Sequence, residues 1–201
     1  MKSVALSLAA IASLVSGAAF AADPYTYDPN ANPERKTGIS VEAGGGVGGF
    51  MDTRISSVTT AQGQWTARFA VGTRSHLAGE AAYIGSAQGV HALGISDGAT
   101  LVGNGAEGLV RFNVLTGMWQ PYAAAGIGWT HYSLGNATLT TSDVQSSGDV
   151  ATFPLGVGLA WRMGGAVLDG RVSFHPATTS AIIRNFNMST WDVQAKAGFE
   201  F

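Results

Sequence analysis

Eight stretches of this chain alternate between apolar and polar side chains, and that period of two is what most limits the folds open to it. The windows run over residues 39–50, 64–73, 78–88, 106–114, 120–132, 153–163, 166–175 and 190–201. The last reads WDVQAKAGFEF. There Trp191, Val193, Ala195, Ala197, Phe199 and Phe201 fall on one side, and Asp192, Gln194, Lys196, Gly198 and Glu200 on the other. A period of two is the signature of a strand whose two faces meet different surroundings. No comparable helical period competes with it. The connections between windows alternate long and short. Long ones follow the first, third, fifth and seventh windows; RSHL, LTGMW and Gly164-Gly165 make the short ones. The rhythm predicts an all-β fold: an eight-stranded antiparallel up-and-down barrel, closed so that neither edge strand is left unpaired.

Alternation alone does not say which face is outside, because a soluble barrel and a membrane barrel are inversions of each other. Four features favour the membrane form. The strand charges keep to one face: Glu42, Arg68, Glu80, Glu107, Arg111, Arg162, Asp169, Arg171, Asp192, Lys196 and Glu200. Six are acids and five are bases. Near-neutrality is what a closed interior requires, since an unpaired buried charge is very costly. The same face holds Gly44, Gly46, Gly48, Gly72, Gly126, Gly128, Gly156, Gly158 and Gly198, which would make room inside a narrow barrel for long Arg and Glu side chains. All five tryptophans, Trp65, Trp119, Trp129, Trp161 and Trp191, lie on the apolar face near strand ends, the pattern of an aromatic girdle at two membrane interfaces. Most windows reach the nine to eleven tilted residues that span a bilayer as strands. Ile84 breaks the rule by falling on the charged face, which implies either a bulge or a shifted register in the third strand.

The first 21 residues read as a signal peptide: Lys2, an uncharged apolar run from Val4 to Ala18, and the A-x-A site Ala19-Phe20-Ala21. Residues 22–36, with three of the six prolines, read as an irregular periplasmic leader, and 37–201 as the barrel. The chain contains no cysteine, which excludes disulfides and thiolate metal sites. A net charge of −2 gives no electrostatic footprint for nucleic acid.

On these residues the chain resembles the small Gram-negative outer-membrane β-barrel proteins of the OmpA transmembrane-domain and OmpX type, over Ile39 to Phe201. The resemblance implies a location in the bacterial outer membrane, contact with its lipid and lipopolysaccharide, and assembly by the barrel-assembly machinery. Trp191, Val193, Phe199 and Phe201 would carry the assembly signal in the terminal strand. Proteins of the OmpA type often continue into a peptidoglycan-binding domain; a chain ending on its last strand is expected to lack one.

The lumen charges are expected to form an ion-paired plug, with a narrow diffusion channel as the competing reading. Ser/Thr-rich long loops leave a surface ligand open. His131 and Ser133, in THYS, share the apolar face near the outer rim. A His-x-Ser pair there is similar to the catalytic pair of outer-membrane lipid A deacylases, where a carboxylate also orients the histidine. The acids nearby, Asp143 and Asp149, read as lying in the following loop. The expectation is therefore an interfacial histidine, a chain that is not an enzyme, and a structural or surface-interaction role. His175 is placed at the lumen mouth as a hydrogen-bonding residue. The four scattered histidines make no metal site, and no cofactor is expected.

Overall fold

The computed structural model describes residues 37–91, 98–136, 146–178 and 187–201. The expected signal peptide and leader, and Asp143, lie outside the described residues. The chain forms β1 (Ile39–Phe50), the one-turn helix α1 (Thr53–Ser56), β2 (Gln62–Val71), β3 (Leu77–Val90), β4 (Ala99–Asn113), β5 (Trp119–Gly135), β6 (Ser147–Thr152), β7 (Leu155–Met163), β8 (Ala166–His175) and β9 (Thr190–Glu200). Neighbours pair antiparallel in the order β4-β3-β2-β1-β9-β8-β7-β5-β6, and a further β4–β5 pairing closes the sheet on itself.

Nine strands make eight staves. β6 and β7 both pair with β5, and the register that joins Gly128 to Thr152 is the one that joins Ala125 to Leu155. The interruption is Phe153-Pro154. Proline has no N–H for the ladder, though its carbonyl still accepts from Gly126 N–H at 3.0 Å. Above this break, among the described residues, β6 is held on its far side by a bridge between Thr152 and Ala177, by backbone bonds from Phe153 and Thr178, and by the Thr178 hydroxyl donating to Ala151 O at 3.3 Å.

The short turns, residues 72–76, 114–118 and 164–165, and both ends of the described chain gather at one mouth. The longer connections gather at the other. Two of these are shorter than the alternation suggests, because β3 continues to Val90, β4 begins at Ala99, and β5 runs to Gly135. One side of the barrel therefore rises higher than the rest. Its loop-end neighbour is 51–61, where Asp52 caps α1 by accepting from Arg54 N–H at 3.0 Å. Side-chain hydrogen bonds from Arg54 hold the Asp52 carboxyl well below the usual carboxylate range.

The inversion is plain in the accessibility. Ile127 is 67% exposed and Val157 62%, whereas Arg111 and Asp192 are 0% exposed. The tryptophans lie on the outward face in two groups: Trp119 and Trp161 at the turn end, with ring centroids 6.3 Å apart, and Trp65, Trp129 and Trp191 at the loop end. Ile84 does face inward, opposite Thr66 and Gly105, but the β3 ladder is unbroken from Leu77 to Val90. There is neither a bulge nor a shift; one apolar residue sits on the polar face.

The inward glycines have two jobs rather than one. A Cβ on Gly158 would meet the ring of Tyr122, so that glycine does make room for a long side chain. At Gly44, Gly46 and Gly198 the obstacle is instead the backbone of the neighbouring strand, Ala195, Val193 and Val41 respectively. Eight staves curl tightly, and the concave side crowds Cβ atoms against the next strand. Gly44→Ala is therefore expected to lower stability by about 1–3 kcal/mol. The outward Gly108→Ala, with nothing within 4 Å of its Cβ, should be neutral or gain about 0.5–1 kcal/mol. Urea unfolding in lipid vesicles compares the two.

Candidate functional site: the charged lumen and the outer rim

The lumen network is built by alternation: the inward positions of the turn-end half bring long polar side chains to the barrel axis, spaced by small or apolar ones such as Ala70, Ala82, Ala124 and Ala160. Arg68, from β2, lies at its centre. Its Nη1 is 3.2 Å from Asp169 Oδ1 and 3.7 Å from Glu42 Oε2, and its Nε is 3.5 Å from Glu80 Oε2. Glu80 also receives Arg171 Nη2 at 2.6 Å and Arg111 Nη1 at 3.4 Å. Asp169 receives Lys196 Nζ at 2.9 Å and faces Arg111 Nη1 at 3.6 Å. Nearer the turn end, Glu200 pairs with Arg162 Nη1 at 2.7 Å and Arg74 Nε at 3.3 Å, and accepts from the Thr73 hydroxyl.

Tyr122 is the residue that sequence reasoning missed. Its hydroxyl donates to Asp169 Oδ2 at 2.7 Å and accepts from Arg171 Nε at 3.0 Å. The Arg111 guanidinium lies 3.6 Å over its ring, within cation–π range. Its signal was available: Tyr122 shares the parity of Gln120 and Ala124, all inward. Gln120 was missed with it and accepts from Arg162 Nε at 2.7 Å.

Toward the loop end the network ends on His175. Its Nδ1 lies 2.8 Å from Glu107 Oε1 and its Nε2 2.5 Å from Asp192 Oδ2. Carboxylates only accept, so the ring donates from both nitrogens and acts as a cation. Each of the eleven predicted lumen residues thus has a charged partner, in three groups along the axis, and Arg74 and His175 join the five predicted bases against the six acids. Above His175 apolar side chains enter the lumen beside buried Gln62, Gln88 and Thr190. Phe50, Ile55, Val90, Ala99, Leu101, Tyr132, Val150 and Met188 form one buried cluster. Phe50 and Tyr132 hold inward positions, their rings 6.3 Å apart. Ile55 comes from α1, which brings the first loop over the mouth.

A second group lies on the outward face at the loop end. His131 is paired in register with Asp149 of β6 and Asn104 of β4. The expectation that Asp149 sits in a loop is corrected: the strand resumes at Ser147, and the carboxylate Oδ1 stands 2.9 Å from His131 Nδ1. Side-chain exposures are 43% for His131 and 61% for Asp149. Trp129 lies on the same face, its ring centroid 6.4 Å from the imidazole. On the other side, Asn104 Oδ1 accepts from the Tyr83 hydroxyl at 2.7 Å. Ser133 is on this face two residues further along β5. No group of three or more metal-ligating side chains is present among the described residues.

No family model and no curated protein matches the chain. Solved structures do match. A major outer membrane protein from Thermus thermophilus is similar with a TM-score of 0.52 at 14% identity, over 82% of this chain and 99% of that one. Neisserial surface protein A is similar with a TM-score of 0.51 at 9% identity, over 83% and 97%. The outer membrane enzyme PagL gives 0.47 at 10% identity, over 80% and 98%. The chain has the fold of the eight-stranded outer-membrane β-barrels. A shared barrel does not set a shared activity.

The network predicts a sharp asymmetry among its members. Glu80→Gln leaves Arg68, Arg111 and Arg171 facing one another with less counter-charge, and should cost about 3–5 kcal/mol, the range for breaking a buried pair. Ser40→Ala, which removes one hydrogen bond of 2.9 Å to Glu42, should cost about 1 kcal/mol. The shift of the unfolding midpoint in vesicles, with its slope, reads both.

Proposed function

We propose that this chain is an integral protein of the bacterial outer membrane whose lumen is plugged and whose role is structural or surface-interacting. The single observation that supports the reading is that buried side chains enter the lumen at two successive levels. Charged pairs occupy the turn-end half, and the apolar cluster of Phe50, Ile55, Tyr132 and Met188 occupies the loop end. An ion passing along the axis would have to open a buried ion-pair lattice and then pass the buried apolar cluster at the loop end. Both are costly, and the second weighs against the diffusion-channel reading.

The outward belt supports the membrane placement. Val110, Ile127 and Val157 are each more than 60% exposed, and tryptophans bound the belt at both ends. The turn-end mouth with both chain ends would face the periplasm, and the longer connections the outside, where they offer the surface for a partner. Trp191, Val193, Phe199 and Phe201 would be read by the assembly machinery, and the outward exposure of Trp191, Val193 and Phe201 suits recognition of that strand before closure.

Planar-bilayer recording tests the plug. The purified chain should leave the conductance at the level of the bare bilayer; steady single-channel steps would overturn the sealed-lumen reading. Val157→Arg tests the placement separately. At mid-membrane it should cost about 2–4 kcal/mol in vesicles, and an unchanged midpoint would count against lipid contact at that position.

A further inference from the structure

We propose that the turn-end half of the lumen binds one small monovalent anion of the halide class, held between Gln120 of β5 and Arg162 of β7. The site deepens the plugged-lumen reading and rests on the same buried side chains.

Charge is the first observation. The lumen ion pairs do not balance group by group. Around Arg68, the bases Arg68, Arg111, Arg171 and Lys196 meet the acids Glu42, Glu80 and Asp169, four against three. Nearer the turns, Arg162 and Arg74 share Glu200. Arg74 is partly open to the turn-end mouth. Setting it aside still leaves five buried bases against four acids. The two other lumen acids, Glu107 and Asp192, are held by His175. They lie four residues along their strands from Arg111 and Lys196, about 13 Å away, too far to pair with them. A buried cation without counter-charge is costly. Water offers such a cation lone pairs but no charge.

Hydrogen bonding is the second observation. Arg162 Nε donates to Gln120 Oε1 at 2.7 Å. That bond fixes the amide, because only its oxygen accepts, and it leaves Gln120 Nε2 as a donor. Gln120 Nε2 and Arg162 Nη2 are both buried, and neither has a partner among the described residues. In a guanidinium Nη2 shares an edge with Nε, here the edge turned to Gln120. Glu200 meets the same group at Nη1, off that edge. Two unpartnered donors therefore belong to one contact, beside a surplus positive charge. Buried polar groups are nearly always paired, and one anion serves both donors. Arg111 Nη2 is a third buried donor without a partner. It belongs to the next layer, where its guanidinium lies over Tyr122, the inward residue that follows Gln120 on β5. It adds positive potential on the loop-ward side of the site.

Size and valence name the ligand class. Gln120 is 0% exposed and Arg162 3%, and Tyr122 is buried beyond them, which leaves no room for a headgroup or a nucleotide. The buried excess is a single charge. A phosphate dianion would reverse the imbalance instead of cancelling it, and its four oxygens outnumber the donors. A halide matches both the charge and the donor set.

The test uses the full chain folded in lipid vesicles, with folding followed by heat-modifiable gel migration. Chloride replaces gluconate, which is too large for the site, at constant ionic strength. In urea unfolding the ratio of folded to unfolded chain should rise about tenfold once chloride reaches about ten times its dissociation constant, and bromide should serve in its place. In detergent micelles the side-chain amide resonance of Gln120, identified by its loss in Gln120→Leu, should shift saturably over the same chloride range. Gln120→Glu supplies a carboxylate of its own beside Arg162. It should make stability independent of chloride, and at least as high in gluconate as that of the wild type. Salt acting by screening alone would affect both chains alike. A wild-type chain whose stability and Gln120 resonance are the same in chloride and gluconate overturns the proposal, and so does a chloride dependence that survives in Gln120→Glu. Steady conductance in planar bilayers with the chloride dependence intact would overturn the seal and leave the anion site standing.

Discussion

Electrical neutrality inside a closed, narrow cylinder is the constraint on which this structure depends. Glu80 and Asp169 are each surrounded by cations from other strands: Arg68, Arg111 and Arg171 around Glu80, and Arg68, Arg111 and Lys196 around Asp169. No pair could be assembled before the staves that carry it are joined. The network therefore does more than fill space. It ties β2, β3, β4, β8 and β9 across the axis, where the backbone ladder ties only neighbours. Charges so placed rarely beat a well-packed apolar core on energy alone. Here the large apolar side chains of the turn-end half are committed to the outside, and the apolar cluster of Phe50, Ile55 and Tyr132 fills only the loop end.

The backbone answers a second demand of the same narrow cylinder. Eight staves curl so tightly that inward Cβ atoms approach the next strand, and glycine at 44, 46 and 198 relieves that contact at the β1–β9 seam. This is where the first and last strands meet, so the seam that closes the barrel is also rich in its smallest residue. Gly158 serves the other purpose, admitting Tyr122 between Arg111, Asp169 and Arg171.

Much of this was legible in the sequence because parity is a local property. Glu42, Arg68 and Lys196 could be assigned to one face without knowing their partners, and the tryptophans to the other. His175 was legible as inward, but its role as a lumen cation was not, since Glu107 and Asp192 reach it from strands 68 and 17 residues away. The apolar cap was harder still. Phe50 and Tyr132 have the parity of polar positions, and Ile55 and Met188 belong to connections, where no period exists to read. Asp149 was misplaced for a related reason: its strand is only six residues long and ends before Phe153-Pro154, too short for alternation to stand out from a loop.

The inversion of faces is the claim beneath all of this, and the five tryptophans report on it directly because all of them are assigned outward. The decisive measurement is their fluorescence in vesicles made with lipids brominated at defined depths along the acyl chain, beside titration with aqueous acrylamide. The account requires strong quenching by bromines near the interface, weaker quenching by those at the bilayer centre, and little by acrylamide. Emission indifferent to every brominated lipid would mean that the indoles are packed in a protein core, with the charges turned to water.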